Sequence, residues 1–340
     1  MTKAHTKTTV CINDTYVTCT LPEENTVADI VTHNGRFHCD EVCAIALLLI
    51  GELKGKRKVT VVRTRDPRVI EQATYVVDVG KVYDPTTRRF DHHQYNFDIV
   101  YPDTSKYASA GLIWLRYGEA IVADIIKTHF PERGDDRALI MSTHEEISAV
   151  FKAVDNSDNN YATTDNFNPL LPWLTGLLPV RIPGRPIYEF YCEPFLIALQ
   201  SCVMWIENRI LKSIARSASL DYFLDAIETQ SDTEYLVLNS TIPWREYLVE
   251  YWDLLSKYKL IITTDEDSSG WTITSLPVSP KRFRTSKCPV PDRLRGLTGS
   301  SIATITGIED VTFCHFGGYL SSTKTMSSAV AFAEYIIAHQ

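Results

Sequence analysis

The chain has 340 residues and 44% hydrophobic content, enough for packed cores in more than one domain, which excludes a disordered chain. Its formal charge of −8, from 34 Lys and Arg against 42 Asp and Glu, excludes a broad non-specific grip on nucleic acid but leaves room for a local basic groove. No apolar run approaches the roughly 20 residues needed to cross a bilayer, so no membrane contact is expected.

Residues 1–25 are a polar, Thr-rich lead-in with β-prone runs at 8–12 and 16–21 and no assigned chemistry. They lack the layout of a secretory signal and are too acidic and Arg-poor for a good transit peptide, which points to the cytoplasm or nucleus. The eight Cys form no CxxC pair and are expected to be reduced core thiols. A zinc site using Cys39 is the alternative, weakened because no second Cys pair completes it.

Residues 28–32 form a short buried strand that ends at His33 and Asn34, where Gly35 breaks it. Asp40 and Glu41 then precede Val42, Cys43, Ala46, Leu47 and Ile50, and acids ahead of helically spaced apolar residues mark a helix N-terminus. His33 thus falls at a strand's carboxyl end, and His38 and Asp40 at the start of the next helix. Residues 58–63 are a second strand and 75–79 a third, with Asp78 just ahead of Gly80. A carboxylate there faces the crevice where open α/β sheets bind ligands, or else caps a turn. The strand–helix alternation predicts a largely parallel sheet.

Asp91-His92-His93 follows in the stretch DPTTRRFDHHQYNF at 84–97. Ser109, Ala110 and Gly111 open a further helix, where small residues either admit a phosphate to the backbone N–H groups or serve close packing. Thr143, with Glu146 three residues on, is expected to cap the next helix. Its apolar stripe (Ile147, Val150, Phe151, Val154) delivers Asp155 and Asn156 at the far end, where a lone Asp is otherwise a solvated turn. A boundary is expected in the Pro-, Asn- and Thr-rich stretch 162–186, a helical segment over 187–230, and β structure from 234 onward. The chain closes with VTFCHFGGY at 311–319 and a helix from about Ser327. His315, ahead of Gly317 and Gly318, is a candidate substrate contact or a structural His. Arg293 and Arg295 supply positive charge or simply face solvent. The fold class is α/β, with a largely parallel catalytic domain over 1–180, a helical connector over 181–230 and a smaller α+β substrate-binding domain over 231–340.

Four of the nine His lie in THNGRFHCDE at 32–41 and in the 84–97 stretch. His with carboxylate is the ligand set for Mn, Fe, Zn or Co, with Mg where carboxylates dominate. Two divalent ions about 3.5–4 Å apart clamp a phosphoryl group and activate water. The central position of Asp78 makes it the bridge. His33 and His38 join it on one ion, and Asp40, His92 and Asp155 join it on the other. Asp91 then orients His92, and His93 faces the scissile phosphate. His93, Asp78 and Asp91 are the catalytic candidates.

These residues resemble the DHH phosphoesterase superfamily and, within it, the melanocyte-proliferating-gene family. The likeness runs through THNGRFHCDE, RTRDP at 63–67, VVDVG at 76–80, YDPTTRRFDHHQ at 83–94, ASAG at 108–111 and AVDN at 153–156. It continues through PWREY at 243–247, GW at 270–271, LRGL at 294–297 and CHFGGY at 314–319. The resemblance implies a DHH domain, a helical connector and a C-terminal DHH-associated domain with a cleft between them. It implies a Mn- or Mg-dependent 3′-to-5′ RNA exonuclease of nucleus and mitochondrion. His33, His38, Asp40, Asp78, His92, His93 and Asp155 match the family's metal and phosphate positions, while Arg295, His315, Gly317 and Gly318 are the expected substrate contacts. The partner implied is RNA or an oligonucleotide, and a homodimer is allowed. The sequence departs from the family in the C-terminal domain, where Tyr319-Leu320-Ser321-Ser322 and Met326-Ser327-Ser328 occupy the places of an expected second Gly-Gly and an acidic residue soon after it; this bears on substrate preference and leaves the metal site intact. Rival readings are a hydrolase of short oligonucleotides or small nucleotides, and a non-catalytic RNA-binding module; the intact ligand set speaks against the latter.

Overall fold

The computed structural model describes residues 7–22, 27–161, 171–178, 191–265 and 269–340. Most of the stretch 162–186, where a boundary is expected, lies outside the described residues. The chain divides into two compact units, Met1–Ile214 and Ala215–Gln340.

The first unit begins with β1 (Lys7–Ile12) and β2 (Thr15–Thr20), then β3 (Ile30–Thr32), α1 (Cys39–Ile50), β4 (Lys58–Arg63), α2 (Pro67–Gln72) and β5 (Tyr75–Val77). The short strands β6 (Tyr83–Asp84) and β7 (Arg89–Phe90) follow, then α3 (Ser109–His129), α4 (Arg137–Asp158) and α5 (Leu171–Leu177). The seven strands form one sheet in the order β1-β2-β4-β3-β5-β7-β6. The pairs from β2 through β7 are parallel, and β1 and β6 close the two edges antiparallel. The lead-in is therefore part of the sheet, with β2 in register against β4 from Tyr16↔Lys58 to Thr20↔Val62.

The chain leaves β3 to one side, for β4, and returns to the other, for β5. The carboxyl ends of β3 and β5 thus flank a topological switch point, where α/β sheets open a crevice. Val31, at the centre, pairs with both Val62 and Val76. These β-branched residues fit a pleated surface covered on both faces, as a parallel sheet requires. α1 is buried at all twelve positions, and a helix apolar on every side belongs inside a core. It packs with α3 and α4 in the main cluster, while Val69 and Ile70 of α2 cover the opposite face over Val31, Val62 and Val76.

The N-cap of α4 lies seven residues before the expected Thr143. It is Asp136, accepting from the Leu139 N–H at 3.0 Å. Thr143 is buried mid-helix, and Glu146 reaches across to Ser213 (2.8 Å) and Arg209 (3.4 Å) instead of closing a box. The acid nearer the true helix start outcompetes the Thr, because only there are backbone N–H groups unpaired.

α6 (Cys192–Thr229) is one continuous 38-residue helix, and the division between the units falls within it. Phe195, Leu199, Val203, Ile206 and Ile210 belong to the first unit's core, and Phe223, Ala226 and Ile227 to a core of the second. The second unit adds β8 (Tyr235–Leu238), α7 (Trp252–Leu255), β9 (Leu260–Thr264), β10 (Trp271–Ser275), α8 (Ser300–Thr306), β11 (Val311–Cys314), β12 (Leu320–Thr323) and α9 (Met326–Ala338). Its sheet runs β11-β12-β10-β9-β8, antiparallel except for β8–β9. Ala329, Phe332, Ala333 and Ile336 of α9 pack in its main core. Seven of the eight Cys are buried and only Cys11 is exposed.

Candidate metal centre

The crevice at the switch point collects polar side chains that the surrounding sheet buries. His33 follows β3 directly and is 3% exposed. Its Nδ1 lies 3.0 Å from the Asn34 carbonyl, which only accepts, so Nδ1 carries a proton and Nε2 is the nitrogen that would be left to ligate a cation once the ring is neutral. That Nε2 is 3.0 Å from Glu41 Oε1 and 3.3 Å from Asp78 Oδ2. Glu41 is the third residue of α1, and its two oxygens do different work. Oε2 accepts from the His38 N–H at 2.8 Å, which caps the helix, and Oε1 points at His33.

Asp78 follows β5 in the left-handed region, with φ 56°. A non-glycine residue held there costs on the order of 1–3 kcal/mol, and such strain clusters at functional sites. The turn aims the carboxylate inward. Oδ2 faces His33, while Oδ1 lies 3.5 Å from His92 Nε2 and 3.4 Å from His93 Nδ1. Burial pushes this carboxyl's pKa up, but the imidazoles of His33 and His92 outweigh it and hold the group well below the usual range. The two His answer in kind. Burial alone would lower them, yet Glu41 and Asp78 raise His33 to about 10, and Asp158 and Asp78 raise His92 to about 11.

Asp40 is fully buried at the start of α1. Its Oδ2 accepts from the Ser109 N–H at 2.9 Å and its Oδ1 from the Ala110 N–H at 2.7 Å. The next N–H of α3, on Gly111, goes to Asp155 Oδ1 at 3.0 Å. The helix N-terminus that the small residues ASAG create is therefore filled by two carboxylates of the chain itself, not left open to a phosphate. Gly111 is required there, since a Cβ would stand 1.9 Å from Asp155 Oδ2.

This arrangement revises one expected ligand. Asp155 forms none of the three His and carboxylate groupings able to hold a metal among the described residues. Its second oxygen accepts from the Tyr101 hydroxyl at 2.8 Å, and burial lifts its pKa to about 7 against those donors. Asp158, one turn further along α4, stands in the expected place. Its Oδ2 is 3.3 Å from His92 Nε2, and its Oδ1 is 4.0 Å from His38 Nδ1. Asp91 likewise meets a different ring than expected. Oδ1 accepts from the His92 and His93 N–H groups and lies 2.7 Å from His93 Nδ1, so it orients His93 and not His92. The Lys81 N–H holds its other oxygen at 2.5 Å.

The groupings are His33, His38, Glu41 and Asp78; Asp40, His92 and Asp158; and Asp78, Asp91, His92 and His93. Asp78 belongs to two of them, with one oxygen turned to each side. Buried His33 Nε2, Glu41 Oε1, Asp78 Oδ1 and His92 Nε2 have no hydrogen-bond partner among the described residues, although they crowd within 3.0–3.5 Å of opposite groups. Two imidazoles converging with five carboxylates make an acid-rich cluster, and divalent cations could take the place of the ring protons that the raised His33 and His92 hold there. The donor set, imidazole with carboxylate, suits Mn, Fe, Zn or Co, and Mg on the carboxylate-rich side.

The expected substrate contacts lie in the second unit. His315 Nδ1 accepts from the Gly317 N–H at 2.9 Å, which leaves Nε2 beside the Tyr319 hydroxyl at 3.3 Å. Arg295 donates Nε to the Val290 carbonyl (2.9 Å) and pairs with Asp292 (2.8 Å). Gly318 has φ 71°, and a Cβ on it would meet Arg295 Nε at 2.6 Å. These four residues thus share one corner, around the β11–β12 turn. Ser321, where the family's Gly-Gly is expected, is a buried residue of β12.

A largely parallel α/β sheet thus carries, at its switch point, a buried cluster of His and carboxylate able to hold metal ions. The chain belongs to the MYG1 exonuclease family, described as an uncharacterised protein family (UPF0160), whose model matches residues 29–337. The human MYG1 exonuclease is 28% identical over 333 residues, covering 92% of this chain and 86% of the human protein. The Bos taurus MYG1 exonuclease is 29% identical over 338 residues, covering 92% and 85%. Among solved structures, PggH, a pGpG-specific phosphodiesterase from Vibrio, aligns over 92% of this chain and 100% of its own with 15% identity and a TM-score of 0.26.

Proposed function

We propose that this protein is a metal-dependent phosphodiesterase of the DHH type, trimming single-stranded RNA from the 3′ end with two divalent ions, Mn foremost. The observation that carries this reading is Asp78, whose two oxygens face the His33 side and the His92 side of one buried cluster. The exonuclease name of the human and bovine relatives supports it. His33, His38, Glu41 and Asp78 would hold one ion, and Asp40, His92, Asp158 and Asp78 the other. When bound, such a pair neutralises phosphoryl charge and acidifies an attacking water.

The protein's own contribution is placement. The N-terminus of α3 fixes Asp40, and the Asn34 carbonyl fixes the tautomer of His33. His93 is half exposed, with Nδ1 held on Asp91 and Nε2 left to face a substrate. A protonated His93 would donate from Nε2 to the leaving oxygen, and Asp91 stabilises that charge.

The test is end-labelled RNA incubated with purified protein and Mn, alongside Asp78→Ala and His92→Ala. Stepwise shortening of 5′-labelled RNA by the wild type, absent in both variants, is expected. Equal behaviour of all three proteins would overturn the proposal. Turnover of dinucleotides without longer strands would move the substrate class to short oligonucleotides.

A further inference from the structure

A cleft of about 840 Å³ opens in the first unit on the outer side of Asp78. That volume lies within the range of small-molecule sites, roughly 300–1,000 Å³. Asp78, Asp91 and His93 line it together with a floor that includes Pro67, Ile70, Val76 and Val79. Arg65 and Lys81 also line it, and both are exposed. Neither side chain makes an ion pair or hydrogen bond among the described residues. Arg89, also in the wall, is different, because its guanidinium is spent on the backbone carbonyls of Thr74, Thr87 and Glu71.

The cleft thus joins three chemistries. One side is continuous with the metal cluster through Asp78 and His93. The floor is aliphatic and offers no side-chain hydrogen-bond groups. Arg65 and Lys81 border it as cations, with the exposed Glu71 as one acid in the wall and the Thr87 hydroxyl already donated to Asp84. A ligand matching all three has a phosphate to approach the metals, a flat apolar body for the floor, and hydroxyls or a second anion for Arg65 and Lys81. We infer that this cleft is the subsite for the nucleoside attached to the scissile phosphate, with the base on Ile70, Val76 and Val79 and the sugar side toward Arg65 and Lys81. The inference rests on the phosphodiesterase reading for the direction of the phosphate. An aliphatic floor also predicts little discrimination among bases, since nothing on it reads a base edge.

The experiment is titration calorimetry of the full chain with Mn(II) present, using 5′-AMP and inorganic phosphate as probes. The variants are Ile70→Trp, which fills the cleft, and Arg65→Ala, which removes an unpaired exposed side chain and leaves the core untouched. AMP is expected to bind the wild type at least tenfold more tightly than phosphate. Ile70→Trp should erase that advantage, and Arg65→Ala should cut it several-fold, with phosphate affinity unchanged in both. AMP binding no tighter than phosphate, or AMP affinity unchanged in Arg65→Ala and Ile70→Trp alike, would overturn the inference. Should Ile70→Trp not fold, Arg65→Ala decides alone. The two readings fail separately. Intact RNA trimming with AMP affinity indifferent to both variants removes the cleft and keeps the nuclease. Absence of trimming with AMP affinity sensitive to both does the reverse.

Discussion

Exchanging two acids one helical turn apart separates the ligand from the scaffold in α4. Asp158→Asn keeps the side-chain shape but removes a carboxylate whose oxygens stand 3.3 Å from His92 and 4.0 Å from His38. Losing a partner that merely orients a ligand costs ~10–100-fold in metal affinity. Losing the ligand itself should reach at least the top of that range, ~100-fold or about 2.7 kcal/mol. Asp155→Asn is a different perturbation. Its amide oxygen can still accept from the Gly111 N–H, while the amide nitrogen faces the Tyr101 hydroxyl, which must turn from donor to acceptor. Such a rearrangement disturbs stability by ~1 kcal/mol and leaves the metal ligands in place. Calorimetric titration of Mn into metal-free protein should show two ions bound to the wild type and to Asp155→Asn, with affinities within a few-fold. Asp158→Asn should lose or severely weaken one of them. Loss of an ion in Asp155→Asn with both retained in Asp158→Asn would refute the assignment and restore Asp155 as the ligand.

Three further outcomes follow from the same geometry. Gly111→Ala forces a methyl against the Asp155 carboxylate and the Tyr101 hydroxyl, so urea denaturation should show a loss of ~1–3 kcal/mol typical of overpacking. A loss below 0.5 kcal/mol, on the scale of ordinary surface changes, would mean the α3 start is looser than described. Metal uptake should expel protons, because His33 at about 10 and His92 at about 11 are charged at neutral pH without metal, and a ligand imidazole must be neutral. Both pKa values are raised, so the competing protons are held below those values and lost above them, and Mn affinity should climb with pH from 6 to 9. Calorimetry in buffers of different ionisation enthalpy should count the released protons; a count of zero at pH 7 contradicts the charged His pair. Among the thiols, only Cys11 should react quickly with an aromatic disulfide reagent in the native protein, and two or more fast equivalents would show that the core thiols are accessible.

The readable part of the centre was the part that sits where strands end. His33 after β3 and Asp78 after β5 follow short apolar runs broken by glycine, and the crevice rule then gives them a common destination. The Asp-His-His triplet needs no context to be noticed. What stayed hidden has identifiable causes. Glu41 reads as a helix cap, and it is one, so nothing in the sequence shows that a single carboxylate caps with one oxygen and faces His33 with the other. Asp155 and Asp158 are three apart on α4 and share a face with Ile147, Phe151 and Val154, so helical spacing cannot choose between them. The choice is made by α3, whose free N–H groups capture Asp155 from a segment 44 residues away in sequence. Asp91 is ambiguous for a similar reason. The two residues that follow it are both His, and only the turn at 91–93 decides which ring it reaches.

The buried acids also decide between the two readings of ASAG, phosphate approach and close packing, in favour of the second. A helix N-terminus attracts whichever anion is nearest, and in this fold the nearest anions are covalently attached. Asp40 takes the Ser109 and Ala110 N–H groups, and Asp155 takes that of Gly111. The cost is a pair of carboxyls in a nearly dry space: Asp155 is driven up to about 7 and Asp40 well above its ordinary value, chiefly by burial. Cations at the cluster would relieve Asp40 directly, because its raised pKa comes from burial and from Asp158 and Asp78 beside it. Metal binding and folding would therefore be coupled through Asp40. Removing Mn should lower the thermal midpoint of the wild type, and Asp40→Asn, which carries no charge to relieve, should show a smaller shift on the same removal. An equal shift in both would mean that the metals stabilise the fold without acting on this carboxylate.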